Sequence, residues 1–470
     1  MTGTRSVLVE SGAAIEVDST AKKLADRYRV PLEVIATLKP KRKLDADKLR
    51  KWYKRVAEAY RAANNTEYAK LMKVKERFAL LGKLRGFDIN ATEDYVYLRL
   101  CFTTMCVTWR VERGKFEERD LEEWEEQLRE WWWVEAQWIS VKSEKRKRET
   151  RMLVAEKAKP VKVEIDYDAY RRLEEKLGRV NTLVALLGYD PEALAGTPVA
   201  VLVLTRALQA FAPEPIHAIE LTVPGTGKTT TALKLEYALG WHYYNEPPSI
   251  ASLVGDARTG RAIIAAARGL WFDEVDKWNK RAAKRDAIAE IIEVLLTGME
   301  QGYWMRSKGG EKSIKTHNPI PVRFTGNIDR AVNPRDWLVY EFAETVGSGG
   351  ARALEDRIGI AVTAAKPEYA HIIQRAAFED LAIRAGVIRA AKEILADAYY
   401  NAYEKDVETG LKARKHRAAL RVAAMLAAIA NDGSKAGDWI DVAKKLVIGL
   451  EDPEELLSEI QSSRDSPDSP

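Results

Sequence analysis

Cysteine is nearly missing from this chain: Cys101 and Cys106 are the only two among 470 residues. Two thiols with no histidine close by do not make a zinc site, so structural metal modules are excluded. The expectation is a pair of reduced, packed thiols, or a disulfide if the source is hyperthermophilic. Long apolar runs are missing as well, which excludes a bilayer-spanning helix. No uninterrupted apolar segment follows the first residues, so no secretory signal is read, and a soluble, cytoplasmic chain with no membrane partner is expected. Asn and Gln are sparse beside Glu, Lys and Arg, a balance that leans towards a thermophile. The formal net charge of +5 is too small to argue for a nucleic-acid partner by itself.

What is present is enough chain for two or three domains, with clear changes of pattern along it. Residues 1–140 read as a mostly helical N-terminal domain, serving as a DNA-binding module or an oligomerisation collar. Within it, helices at 19–28 and 31–38 around a tight turn, followed by basic residues 39–43, fit either a helix-turn-helix or an ordinary helical hairpin. Trp124, Trp131, Trp132, Trp133 and Trp138 are assigned to an acidic helix. Three adjacent tryptophans cannot share one helix face, so one of them should meet another domain or subunit, unless the group forms a satellite core. The basic stretch 141–162 reads as a linker, solvated or touching a phosphate backbone. Residues 163–365 carry an α/β pattern, 366–460 a helical lid, and 461–470 a tail without apolar residues to bury.

The chemistry centres on residues 222–230. A strand-like run precedes them and a helical pattern follows, the context in which a P-loop holds nucleotide phosphates. Gly225 and Gly227, with Pro224 and Thr226, allow backbone N–H groups to close around phosphate oxygens at a helix N-terminus, beside Thr230. Lys228 is placed to reach the β- and γ-phosphates of ATP, and Thr229 to ligate Mg²⁺. Thr222 stands where the general pattern has its first glycine. Downstream, an apolar strand ends in Asp273 and Glu274. Asp273 is expected to hold Mg²⁺ through water, and Glu274 to polarise the water that attacks the γ-phosphate.

With these two motifs in this order, the chain resembles the AAA+ ATPases over residues 195–365. The resemblance implies an α/β P-loop motor with a parallel sheet flanked by helices, working as a hexameric ring on ATP and Mg²⁺. It places Asn327 at sensor 1, where it orients the attacking water. Arg357 is placed as a finger directed at a neighbour's γ-phosphate, with Arg330 and Arg335 as rivals, and Arg414 as a sensor 2 residue. Residues 273–278 and 299–302 resemble minichromosome maintenance helicases more narrowly, as do 256–261. A hairpin at 303–317 stands where those helicases and the viral superfamily 3 helicases carry a pore hairpin. Arg306, Lys308, Lys312 and Lys315 would then grip a phosphate backbone. The P-loop is of the ordinary AAA+ kind rather than the minichromosome maintenance variant.

The expected function is therefore a DNA helicase or translocase of a virus, plasmid or integrated element, acting on single-stranded or forked DNA. A protein-remodelling ATPase is the alternative, resting on Ser252-Leu253-Val254-Gly255 at the place of a pore loop. A DNA-bound initiator or switch that does not translocate is a third reading.

Overall fold

The runs at 218–222, 269–272 and 360–364 are mostly apolar and carry no period-two alternation, which is the pattern of strands covered on both faces. In the computed structural model they are strands of one parallel sheet. The structure describes residues 3–464 apart from 29, 39–44, 93, 113–126, 128, 143–148, 257–259, 279–284, 307–313 and 404–413. The sheet consists of β1 (Ala218–Thr222), β2 (Trp241–Tyr244), β3 (Gly269–Phe272), β4 (Val322–Asn327) and β5 (Ile360–Ala364) in the order 5-1-4-3-2. Every residue of β1, β3 and β5 is buried. Because all five strands run the same way, their C-terminal ends converge on one edge, where open α/β sheets bind ligands. Among the described residues no helix is long and apolar enough to cross a membrane.

The N-terminal region departs from the helical expectation. Helices Thr4–Glu10, Ser19–Tyr28, Leu32–Thr37, Ala46–Asn64 and Thr66–Met72 are present, but residues 77–161 build a second, largely antiparallel sheet. The tryptophan segment is a strand, Trp131–Lys142, paired antiparallel to Glu149–Val161. The stretch expected to be a linker is thus largely a strand within a hairpin, and its central residues 143–148 lie outside the described ones. Alternation along the strand sends Trp132 into the sheet's own core while Trp131 and Trp133 join the core shared by the N-terminal helices and the parallel-sheet region. Trp131 meets Tyr237 of the helix Lys228–Leu239 edge-on at 5.3 Å, and Trp133 stacks on Trp52 at 5.9 Å. One tryptophan does meet another domain, for a β-sheet reason. Trp124 lies outside the described residues.

Two short strands that follow β2 extend the N-terminal sheet: Gly260–Ala262 pairs with Gly86–Ala91, and Gly255–Asp256 pairs with Gly260–Ala262. The first residues also join the lid, because Ala14–Glu16 pairs with Leu381–Ile383. The second helix of the expected helix-turn-helix is not free to enter a DNA groove. Its Glu33, Val34 and Ile35 are buried, and Glu33 pairs with Lys234 of the helix Lys228–Leu239 at 2.9 Å. The basic flank 39–43 lies outside the described residues. Cys101 and Cys106 stand opposite each other on adjacent strands and form a disulfide, so the reduced pair is replaced by the bonded alternative. The lid is helical, and helix Pro453–Arg464 runs into the segment expected to be a tail, of which 465–470 are outside the described residues.

Candidate functional site

The turn after β1 needs glycine for a specific reason. Gly225 and Gly227 have φ of 89° and 72°, in the left-handed region. A Cβ at Gly227 would lie 2.3 Å from the Tyr189 hydroxyl, and one at Gly225 would lie 2.8 Å from the Gln374 amide. Tyr189 closes on the loop from one side, donating to the Gly227 carbonyl at 3.3 Å and sharing a hydrogen bond with Thr231 at 3.0 Å. Gln374 reaches the loop from the lid helix Pro367–Ala376. Neither residue belongs to a motif. Both are brought in by chain segments distant in sequence, so no local signal marks them.

Lys228 is buried at the first position of the helix Lys228–Leu239. Its ammonium donates to the Thr222 hydroxyl at 2.7 Å and to the Asn327 side-chain carbonyl at 2.9 Å. Burial lowers its pKa, opposed by the negative charges of Glu220 and Asp273. Thr222, the residue that breaks the general pattern, therefore has a role: it cradles the lysine and shares a 2.8 Å hydrogen bond with Thr226. Replacing it with alanine strips a buried, charge-assisted bond. Thr222→Ala is expected to cost about 1–3 kcal/mol, with Thr222→Ser retaining most of it, read as denaturant midpoints at constant slope.

β4 lies between β1 and β3, which is why Asn327 sits beside the lysine. Asp276 fixes it there by accepting from its backbone N–H at 2.8 Å. At the end of β3, Asp273 is buried and receives three hydroxyls: Thr325 at 2.7 Å, Tyr243 at 3.0 Å and Thr229 at 3.1 Å. Burial and the adjacent Asp273 charge raise the Tyr243 pKa, so its hydroxyl stays a donor. Glu274 occupies left-handed backbone at φ 54°, unusual for a residue with a Cβ and often a mark of a functional position. Its carboxylate pairs with Lys277, whose pKa is raised by that bond. Thr229 and Thr230 are exposed, as are Pro224 and Gly225. The pair Thr229–Asp273 offers hard oxygen donors with one carboxylate, the set with which Mg²⁺ is held together with nucleotide phosphates. Among the described residues no group of three His, Cys, Asp or Glu forms a separate metal cluster.

The arginines are elsewhere. Arg357 precedes β5 and so stands at the opposite end of the sheet from the loop at 222–230. It donates to the carbonyls of Leu296 at 3.0 Å and Ala353 at 2.6 Å and pairs with Glu300. Arg414 joins it by pairing with the same Glu300 and with Asp356. The structure thus does not bring Arg414 to the 222–230 loop of its own chain, because these two carboxylates hold it at the far edge. Both arginines line a cavity of about 510 Å³ with Arg417 and Arg421. Of the rival fingers, Arg335 is buried, bonded to Glu355 and to the Ile358 carbonyl at 2.6 Å, and cannot reach a neighbour. Arg330 is exposed and paired with Glu341 at 2.5 Å.

The hairpin arms are present, Tyr303–Arg306 against Ile314–His317, with Tyr303 opposite His317. Buried Trp304 anchors their base by donating to the Asn318 carbonyl at 2.8 Å. Exposed Lys315 places its ammonium 4.1 Å from the Tyr303 ring centre. Arg306 belongs to the first arm. Lys308 and Lys312 lie outside the described residues. Leu253, on which the protein-remodelling alternative depends, is fully buried and cannot act as an exposed pore residue.

No protein-family model matches the chain. Parts of it are similar to uncharacterized proteins of archaeal viruses. One, from Acidianus filamentous virus 1, is 37% identical over 200 residues, covering 41% of this chain and 45% of that protein. Another, from Acidianus filamentous virus 2, is 40% identical over 116 residues, 24% of this chain and 26% of that protein. A third, from Sulfolobus islandicus rod-shaped virus 1, is 34% identical over 151 residues, 31% and 34% respectively. The matched stretches span less than half the length of each relative.

Proposed function

We propose that the chain is an ATP-hydrolysing P-loop motor of the AAA+ kind, assembled as a ring and moving along single-stranded or forked DNA as a viral helicase or translocase. The observation that carries this reading is the convergence at the sheet's C-terminal edge. There Lys228 lies 2.9 Å from Asn327 and Thr229 lies 3.1 Å from Asp273, from three strands whose order puts the Asn327 strand between the other two. Lys228 and the loop amides bind and orient the phosphates. Glu274 takes the proton from the water as its oxygen bonds the γ-phosphorus and the β–γ bridging bond breaks, giving ADP and phosphate. Mg²⁺, when bound at Thr229 and Asp273, neutralises charge on the phosphates. Arg357 serves the site of an adjacent subunit, since the far edge of the sheet is its own position. The DNA assignment rests on the basic hairpin, and the viral origin is supported by the relatives.

The test is ATP turnover with and without single-stranded DNA, beside the mass of the particle assembled with ATP. Severalfold stimulation and a hexamer mass are expected, with Lys308→Ala plus Lys312→Ala reducing the stimulation. Stimulation by unfolded protein but not DNA would replace the substrate. Absence of any ATP turnover would end the motor reading.

A further inference from the structure

The N-terminal sheet closes on itself. Arg77–Lys83 and Gly86–Ala91 are two halves of one bent strand, joined through Leu84 and Arg85. The first half pairs with Trp131–Lys142 and the second with Tyr95–Cys101, so the ladder returns to the strand from which it starts. Counted from that strand, the order around the barrel is 1-2-3-5-4-1, and the third strand, Cys106–Glu112, runs parallel to the fifth, Glu149–Val161. Leu80, Leu98, Val107, Trp132 and Leu153 fill the interior. This is the topology of the OB-fold, a five-stranded barrel whose second and third strands present a face for oligonucleotides or oligosaccharides.

A fold assigns no ligand by itself; the side chains on that face do. Alternation turns Val96, Leu98 and Leu100 into the barrel core and leaves Tyr95, Tyr97 and Arg99 on the outer face, where Arg110 stands opposite Tyr97. Tyr95 and Tyr97 are half-buried with ring centres 6.3 Å apart, and exposed Arg110 holds its guanidinium 4.6 Å from the Tyr95 ring centre. Two rings and a planar cation on one strand pair make a surface on which bases of any sequence can stack. Asp88, opposite Arg99, and Glu112, opposite Tyr95, share the face and balance its charge. Stacking, rather than attraction for phosphates, must therefore supply most of the affinity. Arg110 decides between the two ligand classes, because a phosphate oxygen engages its charge and a neutral sugar offers it no counter-charge. We infer that the outer face of Tyr95–Cys101 and Cys106–Glu112 binds a single strand of DNA through Tyr95, Tyr97 and Arg110, at a place separate from the 222–230 loop and from the 303–317 hairpin. That the strand is DNA rests on the function proposed above; that it is single and held by stacking does not.

The test is the anisotropy of a fluorescein-labelled oligothymidylate of about 16 nucleotides, without ATP, in the Lys308→Ala plus Lys312→Ala background that takes charge from the hairpin. Tyr95→Ala with Tyr97→Ala is expected to weaken binding about 25-fold or more, roughly fivefold for each ring. Tyr95→Phe with Tyr97→Phe should stay within about threefold of the parent, since the rings are used and the hydroxyls are not. Arg110→Ala should flatten the slope of log affinity against log salt by about 0.7, the share of one phosphate, and Arg110→Lys should restore it. Melting curves of each variant report folding. A duplex of the same length should bind more weakly, because its bases already stack on one another. Tighter binding of the duplex would overturn the single-strand assignment, and tighter binding of an oligouridylate would overturn the assignment to DNA. A phenylalanine variant that loses as much as the alanine variant would overturn stacking. If the alanine variant folds and binds as the parent does, the face is not the site, and the ATPase reading stands untouched. If ATP turnover is absent but the alanine variant loses binding, the ATPase reading fails and the binding face remains.

Discussion

Glu274→Gln is expected to lower ATP turnover by roughly 10²- to 10³-fold while leaving ATP affinity within about threefold. The amide keeps the size and the left-handed backbone of the residue, so folding should be unchanged, but it cannot accept the proton of the attacking water. Affinity should persist because the phosphate-binding groups are separate: Lys228 is held by Thr222 and Asn327, and Thr229 by Asp273. In the structure the Glu274 carboxylate is half-buried and paired with Lys277, at the edge of the site rather than inside the Asp273 network. Steady-state hydrolysis together with direct nucleotide binding separates the two effects. A variant that loses binding in proportion to turnover would make Glu274 a phosphate-site residue and not the base. A variant that keeps turnover would remove it from the chemistry.

What is legible in the sequence is local chemistry. The loop at 222–230 stands out because its glycines, lysine and threonine sit within a few residues of one another, and the strand and helix around them are short-range patterns. Asp273 and Glu274 can be read because two carboxylates after four apolar residues violate the burial pattern. The N-terminal sheet is illegible for a related reason. Trp132 faces one core and Trp131 and Trp133 another, so both faces of the strand are apolar and the period-two signal disappears. The residues that complete the site come from afar: Tyr189 from before the parallel sheet, Gln374 from the helix Pro367–Ala376, and Asp276 from the turn after β3 onto the end of β4. Only folding makes them neighbours. Thr222 is visible in the sequence only as a departure from a pattern, because its function is a contact with Lys228 made by its side chain and not by a backbone turn.

A second large effect lies beneath the loop. Glu220, two residues before Thr222, is fully buried between Arg206, which bonds it at 2.6 and 3.0 Å, and Arg323 at 2.5 Å. Arg323 is also held by Gln209 at 2.7 Å and lies over the Trp271 ring at 5.0 Å. Two buried guanidinium groups thus depend on one carboxylate. Glu220→Gln would leave them facing each other without a counter-charge, and is expected to cost about 3–5 kcal/mol, a large part of a typical domain's roughly 5–15 kcal/mol. Replacing the set together by apolar residues, Arg206→Met, Glu220→Leu and Arg323→Met, should cost far less, because no charge is then stranded. The pH dependence gives an independent reading. Burial by itself would raise the Glu220 pKa, but the two arginines override it and hold the carboxyl at about 2. Unfolded, it returns to about 4.3, so its contribution is fully present above that pH and is lost as pH falls through the folded value. The parent chain should therefore lose on the order of 3 kcal/mol between these limits through this group, and Glu220→Gln should show a correspondingly shallower fall. Denaturant midpoints of the parent, single and triple variants across that range decide the matter. Equal losses for single and triple variants would mean that the two arginines find other partners, and that the carboxylate is not what keeps their charge beneath the loop at 222–230.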